Sequence, residues 1–323
     1  RHTRYISVTG VQTCALPIFG LLLGCAACTP DSPPLQTTGA AASRPGALPP
    51  EIERLVGPLY ESPRLQALVD EVGQKLVSAS GVGGSFHFYV LDQPIANAHA
   101  VSTGYVFVTR GLLALVDDDA ELAAAMSHEL GHVTQKHAAQ RERARKGVMD
   151  AAVDAALKSG SVTVGRSVAR NGLIELRRYS REQELEADRV GLGYLVKAGY
   201  RGDAIYTLIE KLQRQARLDD LLMGNPDEGE DQRSAMSTHP GPLERMEALR
   251  PQPALRQPGA SDRARYLGLI DGMSVDDRPE EGFVRGSSFL HPTLRFAFTA
   301  PADFRLFKDR KSTRLNSSHT DIS

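Results

Sequence analysis

Between Asp117 and Gln140 runs DDDAELAAAMSHELGHVTQKHAAQ, a strong helix former with His128, Glu129 and His132 at its middle. It constrains this chain more than any other segment. Asp117, Asp118 and Asp119 offer N-cap candidates and favourable first-turn charge, and the helix is expected to continue through Gln140. Histidines four residues apart project from one helix face and can grip one metal ion. Glu129 then sits about 100° round from His128, towards a metal-bound water. Ala124 and Ala125, one turn earlier, leave room there. A surface helix with two solvated histidines is the plain alternative. The capped start and the strand-rich segment directly before it weigh against that reading.

A catalytic zinc needs a third protein ligand and one position open to water. Thiolates are ruled out, because Cys14, Cys25 and Cys28 all lie at the N-terminal end and the body has no Cys. His137 follows His132 by five residues, which on a continuous helix puts it about 140° away, out of reach. The other source is EQELEADRVG, where Glu182, Glu184, Glu186 and Asp188 crowd one helix that can pack across the first. An acidic helix face is more often solvated, and pattern alone does not choose among the four.

Around this centre the periodicity reads as α+β. Apolar residues from Glu51 to Ser80 recur at helical spacing, interrupted near Pro63, and predict two helices. FHFYVLD and HAVSTGYVFVTR, rich in aromatic and β-branched residues, predict neighbouring strands. Helices are expected at 141–158, 178–198 and 203–223, with a glycine-punctuated stretch carrying Gly160, Gly165 and Gly172 between the first two. NPDEGEDQ reads as an exposed loop, and FVRGSSFLHPTLRFAFTA as the start of a small β-rich C-terminal module.

The 323 residues carry a formal charge of -1, with Lys and Arg scattered among acids, which provides no field for nucleic acid or anionic lipid. Residues 1–18 and 311–323 resemble translated sequencing-adaptor DNA and are expected to be non-native. Residues 19–50 read as a signal-peptide end, a lipobox with Cys25 as the lipidated residue, and a Pro-, Ser- and Thr-rich tether. The metal-bearing domain is expected over 51–250, and a truncated C-terminal module over 251–310. After Cys25 no apolar run approaches the roughly 20 residues that span a bilayer.

NAHAVSTGYVFVTRGLLALVDDDAELAAAMSHELGHV, followed by ELEADRVG and then STHP, resembles the gluzincin family that holds the CAAX prenyl endopeptidases, the HtpX-type membrane proteases and the periplasmic BepA-like proteases. The resemblance covers about Glu51 to Arg250. It implies a mainly helical zincin-like metallopeptidase with a small β-sheet. It further implies one Zn2+ held by His128, His132 and Glu186, the Glu of the EAD triplet, with Glu129 as general base. Asp188 is expected to support a ligating histidine and Arg245 to match the family's arginine. His239 of STHP is expected near the zinc, as a gate or an oxyanion stabiliser. The segment from Ala98 to Ser102 matches the family's substrate-binding edge. The implied substrates are unfolded or misfolded envelope proteins, and the implied location is the periplasm, lipid-anchored at the outer membrane. No nucleic-acid partner is expected, the lipid anchor is the only expected membrane contact, and the envelope assembly machinery is a candidate partner. An envelope chaperone or assembly factor on the same metal fold is the rival reading.

Overall fold

The structure is a computed structural model that describes residues 6–7, 48–101, 103–222, 239, 241–275, 277–301, 304–308 and 313–317. Cys25 with its lipobox, and the NPDEGEDQ segment, lie outside the described residues. The chain forms two compact units, one of residues 43–220 with 226–276, the other of 277–323 with 1–42 and 221–225.

The smaller unit opens with a two-residue strand, β1 (Ile6–Ser7). The larger unit begins with α1 (Pro50–Val56) and α2 (Pro63–Ser80), each with proline in its first turn, where a missing N–H leaves no bond unmade. Next come β2 (His87–Leu91), β3 (Ala98–Ala100) and β4 (Tyr105–Thr109), ordered β2-β4-β3 in one sheet. β2 runs parallel to β4, while β3 is antiparallel to it and forms an edge. Strand alternation divides the side chains between two cores. Phe88, Val90, Val106 and Val108 pack with Leu65, Leu68, Val72 and Leu76 of α2, whereas Tyr89, Leu91 and Phe107 pack with Val56 of α1.

Thr109 ends β4 and caps α3 (Arg110–Leu115), its Oγ1 accepting from Leu112 N–H at 3.1 Å. Asp118 caps α4 (Asp119–Thr134), its Oδ1 accepting from Glu121 N–H at 2.9 Å. Every residue of α4 from Ala120 to His132 is buried, the pattern of a helix enclosed on all sides. The helix does not continue to Gln140. Lys136 adopts a left-handed backbone, φ 58, and a separate helix, α5 (His137–Ser159), starts after it.

α6 (Val162–Lys197) starts well before the expected 178. Gly165 and Gly172, expected in a glycine-punctuated stretch between helices, are contact points inside it. A Cβ on Gly165 would stand 2.7 Å from Ala152 O, and one on Gly172 2.5 Å from the Val148 side chain, both on α5. α7 (Ala204–Leu222), which lies in the larger unit up to residue 220, α8 (Pro242–Leu249) and α9 (Arg263–Ile270) are its remaining α-helices among the described residues.

In the smaller unit β5 (Phe283–Arg285), β6 (Ser288–His291) and β7 (Phe296–Thr299) form an antiparallel meander. β8 (Phe304–Lys308) pairs with β9 (Thr313–Ser317), and β1 adds to β9. Val284, Phe289, Ala300 and Leu306 form its core. β1 and β9 fall in the two adaptor-like segments. The class is α+β, mainly helical, with a C-terminal strand module.

Candidate metal centre

α4 and α6 cross where glycine removes the side chain from each. A Cβ on Gly131 would lie 2.8 Å from Ala187 O, and one on Gly191 2.9 Å from Ser127 O. The buried stripe of α6 at this crossing contains Glu184, Ala187, Asp188, Gly191, Leu192 and Leu195, so the two carboxylates face the α4 histidines.

Nε2 of His128 and Nε2 of His132 stand 3.0 Å apart. Glu184 joins them, with Oε2 3.2 Å from His128 Nε2 and Oε1 3.3 Å from His132 Nε2. His239 brings Nδ1 to 2.9 Å from Glu184 Oε2 and 3.2 Å from His128 Nε2. One ligand atom from each of these four residues lies within 4.8 Å of all the others. Among the described residues, Glu184 Oε1 is buried without a hydrogen-bond partner, a costly arrangement for an anionic oxygen. Imidazoles and a carboxylate converging on one point, with an acceptor otherwise orphaned, fit a zinc-type cation.

The structure separates the expected third ligand from this cluster. Glu186 is two residues beyond Glu184, about 200° round the helix, and points away from the crossing. It is 41% exposed, and its Oε2 lies 3.2 Å from His137 Nε2. Glu184, rather than Glu186, is the carboxylate of this helix that joins the cluster. A sequence signal was available, since Glu184 and Asp188 are four residues apart and share a helix face.

Asp188 lies behind His128, whose Nδ1–H donates to Asp188 Oδ1 at 2.8 Å. Arg245 of α8 grips the same carboxylate twice, Nε to Oδ2 at 2.7 Å and Nη2 to Oδ1 at 2.8 Å. This clasp turns His128 Nε2 towards the cluster. His132 has a different neighbour, with its Nδ1 2.9 Å from Nδ1 of the buried His137. The sequence reading set His137 aside on the assumption of a continuous helix, and the break at Lys136 removes that assumption.

Charges follow these contacts. Burial opposes ionisation of Asp188, but Arg245 and His128 prevail and hold its pKa at about 2. Burial likewise opposes ionisation of Glu184, but His239, His128 and His132 hold it well below the carboxylate range. Burial brings His132 down to about 3. For His128, burial and Arg245 push downward, yet Asp188 and Glu184 carry it up to about 9. Burial raises Glu129, the buried carboxyl beside His128.

His128, Glu129 and His239 border a cleft whose remaining walls include Asn97 and Ala98 at the β3 edge and Ile205 and Leu208 of α7. His239 Nε2 lies 3.4 Å from Glu129 Oε1.

A family model described as Peptidase family M48 matches residues 63–252. The chain belongs to peptidase family M48. Three relatives show how far the likeness reaches. The beta-barrel assembly-enhancing protease of Escherichia coli strain K12 is 32% identical over 170 residues, 50% of this chain and 35% of its own. The putative beta-barrel assembly-enhancing protease of Vibrio cholerae is 30% identical over 260 residues, 74% of this chain and 51% of its own. The mitochondrial metalloendopeptidase OMA1 of Arabidopsis thaliana is 33% identical over 146 residues, 45% of this chain and 30% of its own. This M48 chain thus spans a third to a half of the length of these curated relatives, and the matched region contains the whole four-residue cluster.

Proposed function

We propose that this chain is a zinc-dependent endopeptidase with His128, His132 and Glu184 as metal ligands, Glu129 as general base and His239 as a gate. One observation carries the proposal: a buried His, His, Glu cluster opens, beside a buried carboxyl, onto a cleft bordered by a strand edge that is unpaired among the described residues.

Zinc bound at such a site supplies Lewis-acid chemistry, lowering the pKa of water and polarising a scissile carbonyl. Glu129 takes the proton of the attacking water. Its burial raises the carboxyl's proton affinity, which suits it to hold that proton and pass it to the departing amine. Asp188 and Arg245 keep His128 oriented throughout. His239 touches His128, Glu184 and Glu129 together, so its withdrawal frees the base and the open side of the ligand set.

Ala98 starts the edge strand and borders the cleft, where an extended peptide can add to β3 through its main chain. Main-chain pairing favours unfolded segments and reads side chains weakly. The substrates we propose are unfolded or misfolded cell-envelope proteins. The names of the Escherichia coli and Vibrio relatives, together with the lipobox reading of Cys25, support a periplasmic enzyme lipid-anchored at the outer membrane, working beside envelope assembly machinery. No helix among the described residues is long and apolar enough to cross a membrane.

Casein digestion by the zinc-loaded protein, beside zinc-loaded Glu129→Gln, tests this. The substitution is expected to lower turnover by about 10²–10⁴ without loss of zinc. Equal cleavage by both proteins would remove Glu129 from the mechanism. Suppression of substrate aggregation by both, with cleavage by neither, would favour the chaperone reading.

A further inference from the structure

His137 is a fully buried imidazole outside the ligand cluster, and the proposed mechanism makes no use of it. Its position depends on the left-handed turn at Lys136. That conformation is uncommon for a non-glycine residue, and here it turns the chain so that His137 meets His132 instead of continuing round α4. The result is a chain of three side chains. His132 Nδ1 lies 2.9 Å from His137 Nδ1, and His137 Nε2 lies 3.2 Å from Glu186 Oε2.

Two ring nitrogens at that distance share one hydrogen, and the rest of the site decides which ring carries it. His132 Nε2 faces His128 Nε2 and Glu184, so a ligand role requires it to be free of hydrogen. The His132 proton then sits on Nδ1 and is donated to His137 Nδ1. With Nδ1 accepting, His137 carries its own proton on Nε2 and donates it to Glu186. A single pair of neutral tautomers satisfies both contacts of the His132, His137, Glu186 chain, and it is the pair that leaves His132 Nε2 free for a metal. The two ligand histidines are thus held by different devices. Behind His128 stands a carboxylate clasped by a buried arginine; behind His132 stands an imidazole tethered to a half-exposed carboxylate.

We propose that His137 is a positioning residue for the metal centre, fixing the tautomer and ring orientation of His132, and that Glu186 does the same for His137. The proposal rests on the reading of His132 and Glu184 as ligands. It also gives Glu186 a role behind the ligands.

The test is zinc affinity by competition with a chromophoric chelator, with thermal unfolding of each metal-free protein alongside. His137→Phe fills a similar space but accepts no hydrogen bond, and zinc affinity is expected to fall by about 10–100-fold. His137→Gln offers a carbonyl acceptor and is expected to recover most of that loss. Glu186→Ala is expected to retain one zinc per chain with a smaller loss. Native affinity in His137→Phe would overturn the proposal. So would equal losses in the Phe and Gln variants, matched by equal falls in metal-free melting temperature, since that pattern marks packing alone. Glu184→Gln separates the two levels. If it binds zinc as the native protein does, the ligand reading itself fails, whereas a loss there beside an unaffected His137→Phe defeats only the positioning role.

Discussion

The crossing of α4 and α6 can be tested by putting a single methyl group into it. In Gly191→Ala the new Cβ would stand 2.9 Å from Ser127 O, 3.0 Å from Ser127 C and 3.0 Å from His128 N, where ordinary contact begins at 3.4 Å. All three obstacles are backbone, so no side chain can rotate aside. The helices must part by roughly half an ångström, and overpacking of this kind costs about 1–3 kcal/mol. Alanine also raises helix propensity by up to about 1 kcal/mol, which conceals part of the cost. Gly193→Ala supplies the control, two residues along the same helix with nothing among the described residues within 4 Å of an added Cβ. The propensity gain is common to both variants, so their difference isolates the crossing. At about 2–4 °C per kcal/mol for a domain of this size, Gly191→Ala should melt about 2–12 °C below Gly193→Ala. Unfolding is followed by circular dichroism with chelator present, so that metal binding does not enter the comparison. Zinc affinity should fall in Gly191→Ala alone, because moving α6 carries Glu184 and Asp188 away from the histidines. Melting temperatures within a degree of each other, with equal zinc affinity, would refute the account of how the site is assembled.

Two further outcomes follow from buried charge. Arg245→Met leaves Asp188 buried without its cation and should cost about 3–5 kcal/mol in urea unfolding, with part recovered in the Arg245→Met, Asp188→Asn double variant. Asp118→Ala removes the α4 cap and should cost about 1–2 kcal/mol near neutral pH. Burial tends to raise the Asp118 pKa, but Ser261, the Glu121 N–H and Arg201 hold it below its ordinary value. The carboxylate's contribution is therefore present above the unfolded pKa of about 3.9 and is lost as pH falls through the lower folded value. The gap between native and Asp118→Ala should narrow below about pH 4. A gap that widens on acidification would contradict the assigned direction.

The parts of this molecule that were legible in the sequence are those governed by short-range rules. Asp118 before an alanine-rich run marks a capped helix, and the aromatic and β-branched residues of 87–91 and 105–109 mark strands. His128 and His132 are four residues apart, so their shared helix face, with Glu129 about 100° round from His128, follows from helix geometry alone. Legibility ended where a contact reverses a local preference. Gly165 and Gly172 read as breakers by propensity, yet in α6 their bare backbone receives α5, and the packing outweighs the propensity cost. Lys136 has no residue-type signal for a left-handed backbone. A continuous helix was the natural expectation, and it hid His137.

The proposed third ligand, Glu184, belongs to the same category, and the glycine crossing shows what would have resolved it. Gly191 marks the point on α6 that lies against Ser127 and His128. Counting back along a helix, residues three, four and seven positions earlier return to the same face. Those positions are Asp188, Ala187 and Glu184, all buried. Residues five and nine positions earlier, Glu186 and Glu182, fall about 140° and 180° away. The four carboxylates that composition left equivalent thereby divide into two that face the histidines and two that do not. Arg245 engages Asp188 with two hydrogen bonds and fixes it behind His128. Glu184 is then the carboxylate left to meet both Nε2 atoms, through contacts of 3.2 and 3.3 Å.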